Sequence, residues 1–258
     1  MSPDARAELP PALAMPAILH EDAHLLAVAK PAGLVTHPAY KHPNGTLCDV
    51  VFVRQAERGE DRPWLLHRLD RETSGVVLFA KTTLARRALV RQFERRSVRK
   101  LYLAITHGTP RDLEGEIDEP LTRDPSDRRR VIVDSSGQSA QTRFRVLATA
   151  GDYALIAAEP LTGRTHQIRA HLAHVGAPIA GDATYHTRPD YADAAERAML
   201  HAYRLDARYP GSGDAWSVLA PLPEDFRHVA AHLRLDVALE WQLLALQEDS
   251  CSLPHSIR

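Results

Sequence analysis

The sequence predicts an α+β fold, with one mixed, mostly antiparallel central sheet and flanking helices. From Lys100 onward, apolar and polar residues alternate with a period of two, as in half-buried strands. These segments do not alternate regularly with helices, as the strands of a parallel α/β sheet would. The composition is that of an ordinary globular chain, since 44% of the 258 residues are hydrophobic and 25% are charged.

Short apolar runs and period-two alternation, bounded by turn residues, predict the strands. In chain order they cover residues 18–19, 25–30, 65–66, 76–81, 101–106, 130–133, 142–148, 153–159, 199–208 and 217–219. Helical spacing predicts a first helix after the N-cap residue Thr46. Three more helices are predicted near residues 83–96, 166–174 and 224–234.

The chain shows no internal repeat, no linker rich in glycine or serine and no break in composition. We therefore predict one catalytic domain over residues 17–247, with a disordered or extended lead-in over 1–16 and a loose tail over 248–258. No apolar run approaches the ~20 residues that a membrane-spanning helix needs. Two cysteines are too few for a disulfide framework, which favours a cytoplasmic location. A monomer is expected.

The basic residues are unevenly distributed, although the net charge is only −1. Only four of the 32 basic residues are lysine, and arginine suits phosphate oxygens and base faces. Codon bias in a GC-rich genome, which raises the arginine content, explains that ratio equally well, but it explains local clusters less well. One cluster is Arg128 to Arg130, and the other covers residues 86–100. Most of the latter lies on the helix predicted near 83–96, whose expected core face is Leu84, Ala88, Leu89 and Phe93. The second cluster predicts contacts with an RNA backbone through Arg91, Arg95, Arg96, Arg99 and Lys100.

Three segments are unusually polar for ordinary loops and strands. The first is residues 67–75 (HRLDRETSG), which leads into a buried strand and also fits a simple capped turn. The second contains Tyr102, which could equally be an ordinary sheet residue. The third is residues 161–171 (LTGRTHQIRAH), whose many donors suit an anion or carboxylate but also fit a solvated helix.

The sequence motifs of several other kinds of functional site are missing. His166, His171 and His174 could suggest zinc, but no His-Glu-x-x-His pattern or cysteine pair accompanies them. Glycine-rich nucleotide-binding loops and a Gly-x-Ser-x-Gly elbow are missing from the sequence. A glycosidase needs two carboxylates, and the polar segments supply mainly cations beside Asp70 and Glu72. We expect no metal and no cofactor.

Taken together, the polar segments resemble the motifs of the RluA-type RNA pseudouridine synthases. HRLDRETSG at 67–75 resembles the family signature, and KPAGL at 30–34 with THP at 36–38 resembles its first motif. KLYLA at 100–104 resembles its tyrosine motif. Residues 161–171, followed by Gly181-Asp182, resemble its third motif. The likeness keeps the family's order from about residue 18 to about residue 221.

This resemblance implies an enzyme that converts uridine in ribosomal large-subunit RNA or tRNA to its carbon-linked isomer. It assigns Asp70 as the catalytic aspartate, Tyr102 as the active-site tyrosine and Arg169 as the arginine paired with that aspartate. The implied fold has an active-site cleft across the sheet. Other expected substrate contacts are Arg68 at a flipped-out nucleotide, apolar Ile168, and Arg164, His166, Gln167 and Lys30.

One departure concerns the N-terminus. The first motif begins near Ile18, which leaves no room for the S4 RNA-binding domain of at least ~50 residues that many relatives carry. The chain therefore resembles the single-domain members, with RNA and not DNA or a membrane as its partner. Two rival functions stay open: a uracil-releasing glycosylase that uses the same carboxylate, and a catalytically inactive RNA-binding module.

Overall fold

The computed structural model describes residues 14–39, 42–186 and 195–235. Most of the predicted lead-in (1–13), the end of the predicted domain (236–247) and the predicted tail (248–258) lie outside these ranges. The described residues form a ten-stranded sheet, a separate two-stranded sheet and four helices. None of these helices has the length and apolar character needed to cross a membrane.

The strands and helices follow one another along the chain in an irregular order. The strands are β1 (Ile18–Glu21), β2 (Leu25–Lys30), β3 (Trp64–Leu65), β4 (Ser74–Ala80), β5 (Arg99–His107), β6 (Glu114–Asp118), β7 (Leu121–Arg123), β8 (Val131–Val133), β9 (Gln141–Ala150), β10 (Tyr153–Pro160), β11 (Leu200–Arg208) and β12 (Ala215–Leu219). The helices are α1 (Leu47–Glu57), α2 (Thr83–Glu94), α3 (Gln167–His174) and α4 (Glu224–His232). As predicted, Thr46 caps α1, in a capping box with Asp49.

The large sheet has the strand order β1-β2-β4-β11-β5-β10-β9-β6, with β3 on β4 and β12 on β11. Among the strand pairs of the described residues, β4 and β11 alone run parallel. This confirms the predicted mixed, mostly antiparallel α+β fold. Gly75 permits the parallel contact: its φ is +120°, and a Cβ there would lie 2.2 Å from the carbonyl oxygen of Ala202.

Two apolar cores hold the helices to the sheet. The larger one contains residues of α1, α3 and α4, including Val51, Leu172 and Phe226. The smaller one holds α2 through Ala85 and Leu89. The predicted core face of α2 was therefore partly wrong. Leu84 is 53% exposed, and the buried residues of the helix are Ala85 and Leu89.

Candidate active site

Asp70 lies in the polar loop between β3 and β4, and the first motif holds that loop from behind. The Thr36 hydroxyl donates to the carbonyl of Leu69 at 2.7 Å and accepts from its amide at 3.2 Å. On the other side of Asp70, the carbonyl of Arg71 accepts hydrogen bonds from Gly33 N and from Lys30 Nζ. Both backbone neighbours of Asp70 are thus fixed, which orients its side chain.

Lys30 acts on this loop and does not line the cleft described below, which corrects its prediction as a substrate contact. Its ammonium is buried and donates to the carbonyls of Pro31, Leu34 and Arg71 at 2.7–3.0 Å. Burial lowers the pKa of Lys30 to about 7, against the opposing charges of Glu72 and Asp70. Three carbonyl oxygens match the three N–H groups of the protonated amine, so Lys30 holds together the loop that carries Asp70.

The guanidinium of Arg169 on α3 faces Asp70, with Nη1 3.4 Å from Oδ2. Its Nε and Nη2 each donate to Asp182 at 2.7 Å, in a fully buried, bidentate pair. Burial opposes the charge of Arg169, but the hydrogen bonds and negative charge of Asp182, with the charge of Asp70, outweigh it and raise the pKa of Arg169. The guanidinium is therefore a fixed cation beside the Asp70 carboxylate.

Tyr102 lies in the middle of β5, where β10 and β11 flank it, and it is 9% exposed. Its side chain is on the same face of the strand as that of Lys100, and both line the cleft that contains Asp70. Burial, followed by the charge of Asp70, raises the pKa of Tyr102. The hydroxyl thus stays protonated at neutral pH, as suits a hydrogen-bond donor beside a carboxylate.

These groups line a cleft of about 640 Å³, a size typical of sites for small molecules or nucleotides. Of the predicted substrate contacts, Arg68, Arg164, His166 and Ile168 line it, with the two arginines exposed and Ile168 buried. The walls carry five basic residues and two acidic ones. They are Arg68, Arg96, Lys100, Arg164, Arg169, Asp70 and Glu94. The cleft therefore favours an anionic ligand.

Gln167 also borders the cleft, but its amide is used internally, which corrects its prediction as a substrate contact. Its Oε1 accepts from the Thr162 hydroxyl and the Arg164 amide, and its Nε2 donates to Gln141 O and Thr142 Oγ1. Two of these bonds join the start of α3 to β9, and the other two join it to the preceding loop. Gln167 therefore fixes the loop that carries Arg164 and His166.

The predicted backbone-binding cations occupy different surfaces. Arg96 and Lys100 line the cleft, and Arg91 and Arg95 are exposed on or just after α2. Arg99 instead lies on the opposite face of β5, in a separate depression, with Nη2 2.9 Å from Glu159 Oε1. Its prediction as part of the same RNA surface is thus corrected, because neighbouring residues of a strand point to opposite faces.

Lys100 is a half-buried cation in the wall of the cleft. Its Nζ donates to the carbonyl of Thr162 at 3.4 Å, a long hydrogen bond that leaves other N–H groups available. Burial lowers the pKa of Lys100 to about 8. Its charge state therefore changes within the range where enzymes are assayed.

His171, one of the candidate zinc ligands, is buried between two other partners. Its Nδ1 lies 2.9 Å from Thr142 Oγ1 and its Nε2 2.9 Å from the carbonyl of Glu119. Within the residues that the structure describes, no group of three metal-ligating side chains comes together.

Three further residues shape the site, although none of them was among the predicted site residues. Asp182 holds Arg169, Thr36 holds the loop of Asp70, and Tyr185 packs its ring 5.2 Å from the Arg169 guanidinium carbon. Asp182 and Thr36 belong to segments that resemble family motifs, which was the available signal. Nothing in the spacing of Tyr185 points to the site.

Comparisons with known proteins agree with this geometry. Residues 24–174 match the family described as RNA pseudouridylate synthase. An RNA pseudouridine synthase of Chloroflexus aurantiacus is 45% identical over 208 residues, which cover 80% of this chain and 65% of the relative. Ribosomal large subunit pseudouridine synthase D of Neisseria meningitidis serogroup B is 37% identical, over 88% of this chain and 63% of the relative.

A solved structure, human RNA Pseudouridylate Synthase Domain Containing 4, superposes with a TM-score of 0.69 at 26% identity, covering 84% of this chain and 92% of that one. The fold and these matches define the class, that of the pseudouridine synthases. Within it, the chain belongs to the RNA pseudouridylate synthase family, which confirms the resemblance seen in the sequence. The chain spans slightly less than two thirds of the length of the two curated relatives just described.

Proposed function

We propose that this chain isomerises uridine to pseudouridine in structured RNA, with Asp70 as the reacting carboxylate. The observation that carries the proposal is the position of that carboxylate. It lies in a positively charged cleft of about 640 Å³, 3.4 Å from the fixed cation of Arg169 and close to Tyr102. Family membership supports the same reaction.

The reaction needs no external reagent. The C1′–N1 bond of uridine breaks and a C1′–C5 bond forms, while C5 loses a proton and N1 gains one. A carboxylate suits either of two roles: addition to C1′ or C6 of the nucleoside, or stabilisation of positive charge on the sugar. Arg169 keeps Asp70 oriented, and the protonated hydroxyl of Tyr102 is placed to donate to the base while its ring packs against it.

A uridine within folded RNA must leave its stack to reach Asp70, at a cost of a few kcal/mol. Arg68, two residues before Asp70 and exposed at the cleft, is suited to fill the space left behind. Arg91, Arg95 and Arg96 lie at the end of α2 on the approach to the same cleft and are suited to bind phosphates. Substrate binding by Arg164, His166 and Ile168 belongs to this proposal.

The target we favour is ribosomal large-subunit RNA, with tRNA as the second candidate. The name of the Neisseria relative supports the first of these. We further propose that the protein works in the cytoplasm as a monomer, without metal or cofactor, and acts on RNA and not DNA. A 2′-hydroxyl beside the reacting C1′ is the group that distinguishes the two nucleic acids.

The test is to incubate the purified protein with ribosomal RNA and tRNA from a strain that lacks its gene, and to map pseudouridine chemically. Asp70→Asn, which keeps the shape and removes the charge, is expected to abolish product while RNA affinity stays within about threefold. Asp112→Asn, an exposed aspartate outside the cleft, is the matched control and should retain full activity. Turnover by Asp70→Asn would contradict the role of the carboxylate.

The two rival functions give different products. A uracil-releasing glycosylase would produce free uracil, whereas the isomerase releases tritium from C5-labelled uridine without loss of base. An inactive RNA-binding module would bind RNA and release neither free uracil nor tritium, in the wild type as in Asp70→Asn.

A further inference from the structure

Tyr185 connects the small hairpin of β7 and β8 to the active site. Its hydroxyl oxygen lies 2.9 Å from the backbone nitrogen of Val131 and 3.2 Å from Nδ1 of His166. The backbone N–H of Val131 can only donate, so the hydroxyl accepts from it. The hydroxyl then has its single proton to donate, and Nδ1 of His166 can accept it.

His166 is the N-cap residue, directly before α3, and its ring is held in one orientation. Its backbone has the left-handed φ of 55° that non-glycine residues rarely adopt, and its ring meets the Tyr185 ring edge-on, 5.8 Å between centroids. With Nδ1 as the acceptor, a neutral ring carries its hydrogen on Nε2. That nitrogen lies 3.9 Å from Oδ2 of Asp70, and His166 is in the wall of the cleft.

From this geometry we propose that His166 is a positioning residue for Asp70: Tyr185 fixes the ring tautomer that presents Nε2–H to the carboxylate. The distance of 3.9 Å exceeds a hydrogen bond, and a small rotation of either side chain closes it. Arg169 approaches the same oxygen, Oδ2. Both contacts therefore leave Oδ1 of Asp70 to face the reacting nucleotide. The catalytic consequence rests on the proposed function, whereas the tautomer does not.

Burial is the main reason that the ring of His166 favours its neutral form. Burial lowers the pKa of His166 and the cations Arg169 and Arg68 act in the same direction, against the opposing effect of Asp70 and Asp182. Burial also raises the pKa of the remaining neighbour, Tyr185, to about 12, so its hydroxyl keeps the proton that it donates. A neutral donor orients the carboxylate of Asp70 by a hydrogen bond and forms no ion pair that would neutralise its charge.

The direct test is nuclear magnetic resonance of the full chain labelled with ¹⁵N-histidine, at pH 7 and without RNA. Signals of His166 are assigned by their loss in His166→Gln. We expect the Nε2–H tautomer, and we expect Tyr185→Phe to shift the ring towards a mixture of tautomers. His171 is an internal reference, since its Nε2 donates to the Glu119 carbonyl and its signals should stay unchanged. An Nδ1–H or doubly protonated ring in the wild type would overturn the proposal.

The catalytic consequence is tested by replacing His166 with glutamine or asparagine, whose side-chain amides differ in length. The amide nitrogen of glutamine superposes on Nε2 of histidine, whereas asparagine tolerates the left-handed backbone but reaches only as far as Nδ1. We expect His166→Gln to keep kcat within about fivefold. His166→Asn should lower kcat by 10- to 100-fold, with a smaller loss in RNA affinity and a melting temperature nearly unchanged.

Equal losses in kcat for the two variants would overturn the positioning role, because a donor at the Nε2 position would then be insufficient. If the wild type forms no pseudouridine at all, the proposed function fails, and the tautomer measurement still decides whether Tyr185 controls His166.

Discussion

Asp182 holds the guanidinium of Arg169 by two hydrogen bonds of 2.7 Å, so that the third nitrogen of the group faces Asp70. The anchoring carboxylate is 1% exposed and lies behind the arginine, away from the open cleft. Arg169 thus has its orientation set before any nucleotide arrives. Pre-organised charge of this kind lowers the cost of reaching a charged transition state.

Asp182→Asn should lower kcat by roughly 10- to 100-fold while RNA affinity changes less than about threefold, because Arg169 loses its fixed orientation. Stability should also fall, by about 3 kcal/mol, since a buried ion pair loses one charge. The control is Asp206→Asn, which breaks the buried Arg204–Asp206 contact of 2.7 Å outside the cleft. Urea denaturation and single-turnover rates separate the two effects; an equal loss of kcat in both variants would assign it to stability.

Tyr102→Phe should retain kcat within about tenfold, whereas Tyr102→Ala should lose at least 100-fold. Burial and the charge of Asp70 raise the pKa of Tyr102, so its hydroxyl is a weaker acid and little of the basic phenolate is present at neutral pH. The ring, which packs beside the base, is then the larger contribution. Single-turnover measurements at saturating enzyme test this. A 1,000-fold loss in Tyr102→Phe would show that the hydroxyl itself moves a proton.

The α2 arginines should bind phosphate from outside the cleft. Arg91→Gln combined with Arg95→Gln is expected to weaken RNA binding about tenfold, and to reduce the slope of log affinity against log salt by between one and two. The matched control is Arg99→Gln combined with Arg143→Gln, two exposed arginines on the opposite face. Filter binding at several salt concentrations provides the measurement. Equal weakening by the control pair would place the RNA on the other face.

The affinity for RNA should depend on the proton of Lys100. Burial lowers its pKa to about 8 in the folded protein, so the cation is present below pH 8 and is lost as the pH rises through that value. If Lys100 binds a phosphate, KM for RNA rises about fivefold between pH 7 and pH 9. Lys100→Arg keeps its charge throughout and should flatten this rise. A wild-type KM that stays constant over the same range would contradict the assignment.

Much of the fold could be predicted from the sequence because local periodicity decides strand and helix. The shared position of Asp70, Tyr102 and Arg169 could be expected only from the resemblance, since no spacing rule joins residues 99 apart. Lys30 and Gln167 were misjudged because their donors are used inside the protein, in part by residues far along the chain. Lys30 Nζ reaches the carbonyl of Arg71, and Gln167 Nε2 reaches Gln141 and Thr142, which local pattern does not show. The error for Arg99 was avoidable. Tyr102 and Leu101 were already predicted on opposite faces of the strand, and the same alternation puts Arg99 and Lys100 on opposite faces.

The insertion of β11 between β4 and β5 has a consequence for biosynthesis. Ser74 at the start of β4 meets His201 of β11 across 127 residues of chain. During translation, β4 and β5 therefore leave the ribosome long before the strand that separates them. Until then each keeps an unpaired edge, which attracts other nascent chains. Ribosome pausing ahead of residue 200 should consequently promote aggregation, and chaperones that shield strand edges should raise the yield of folded protein.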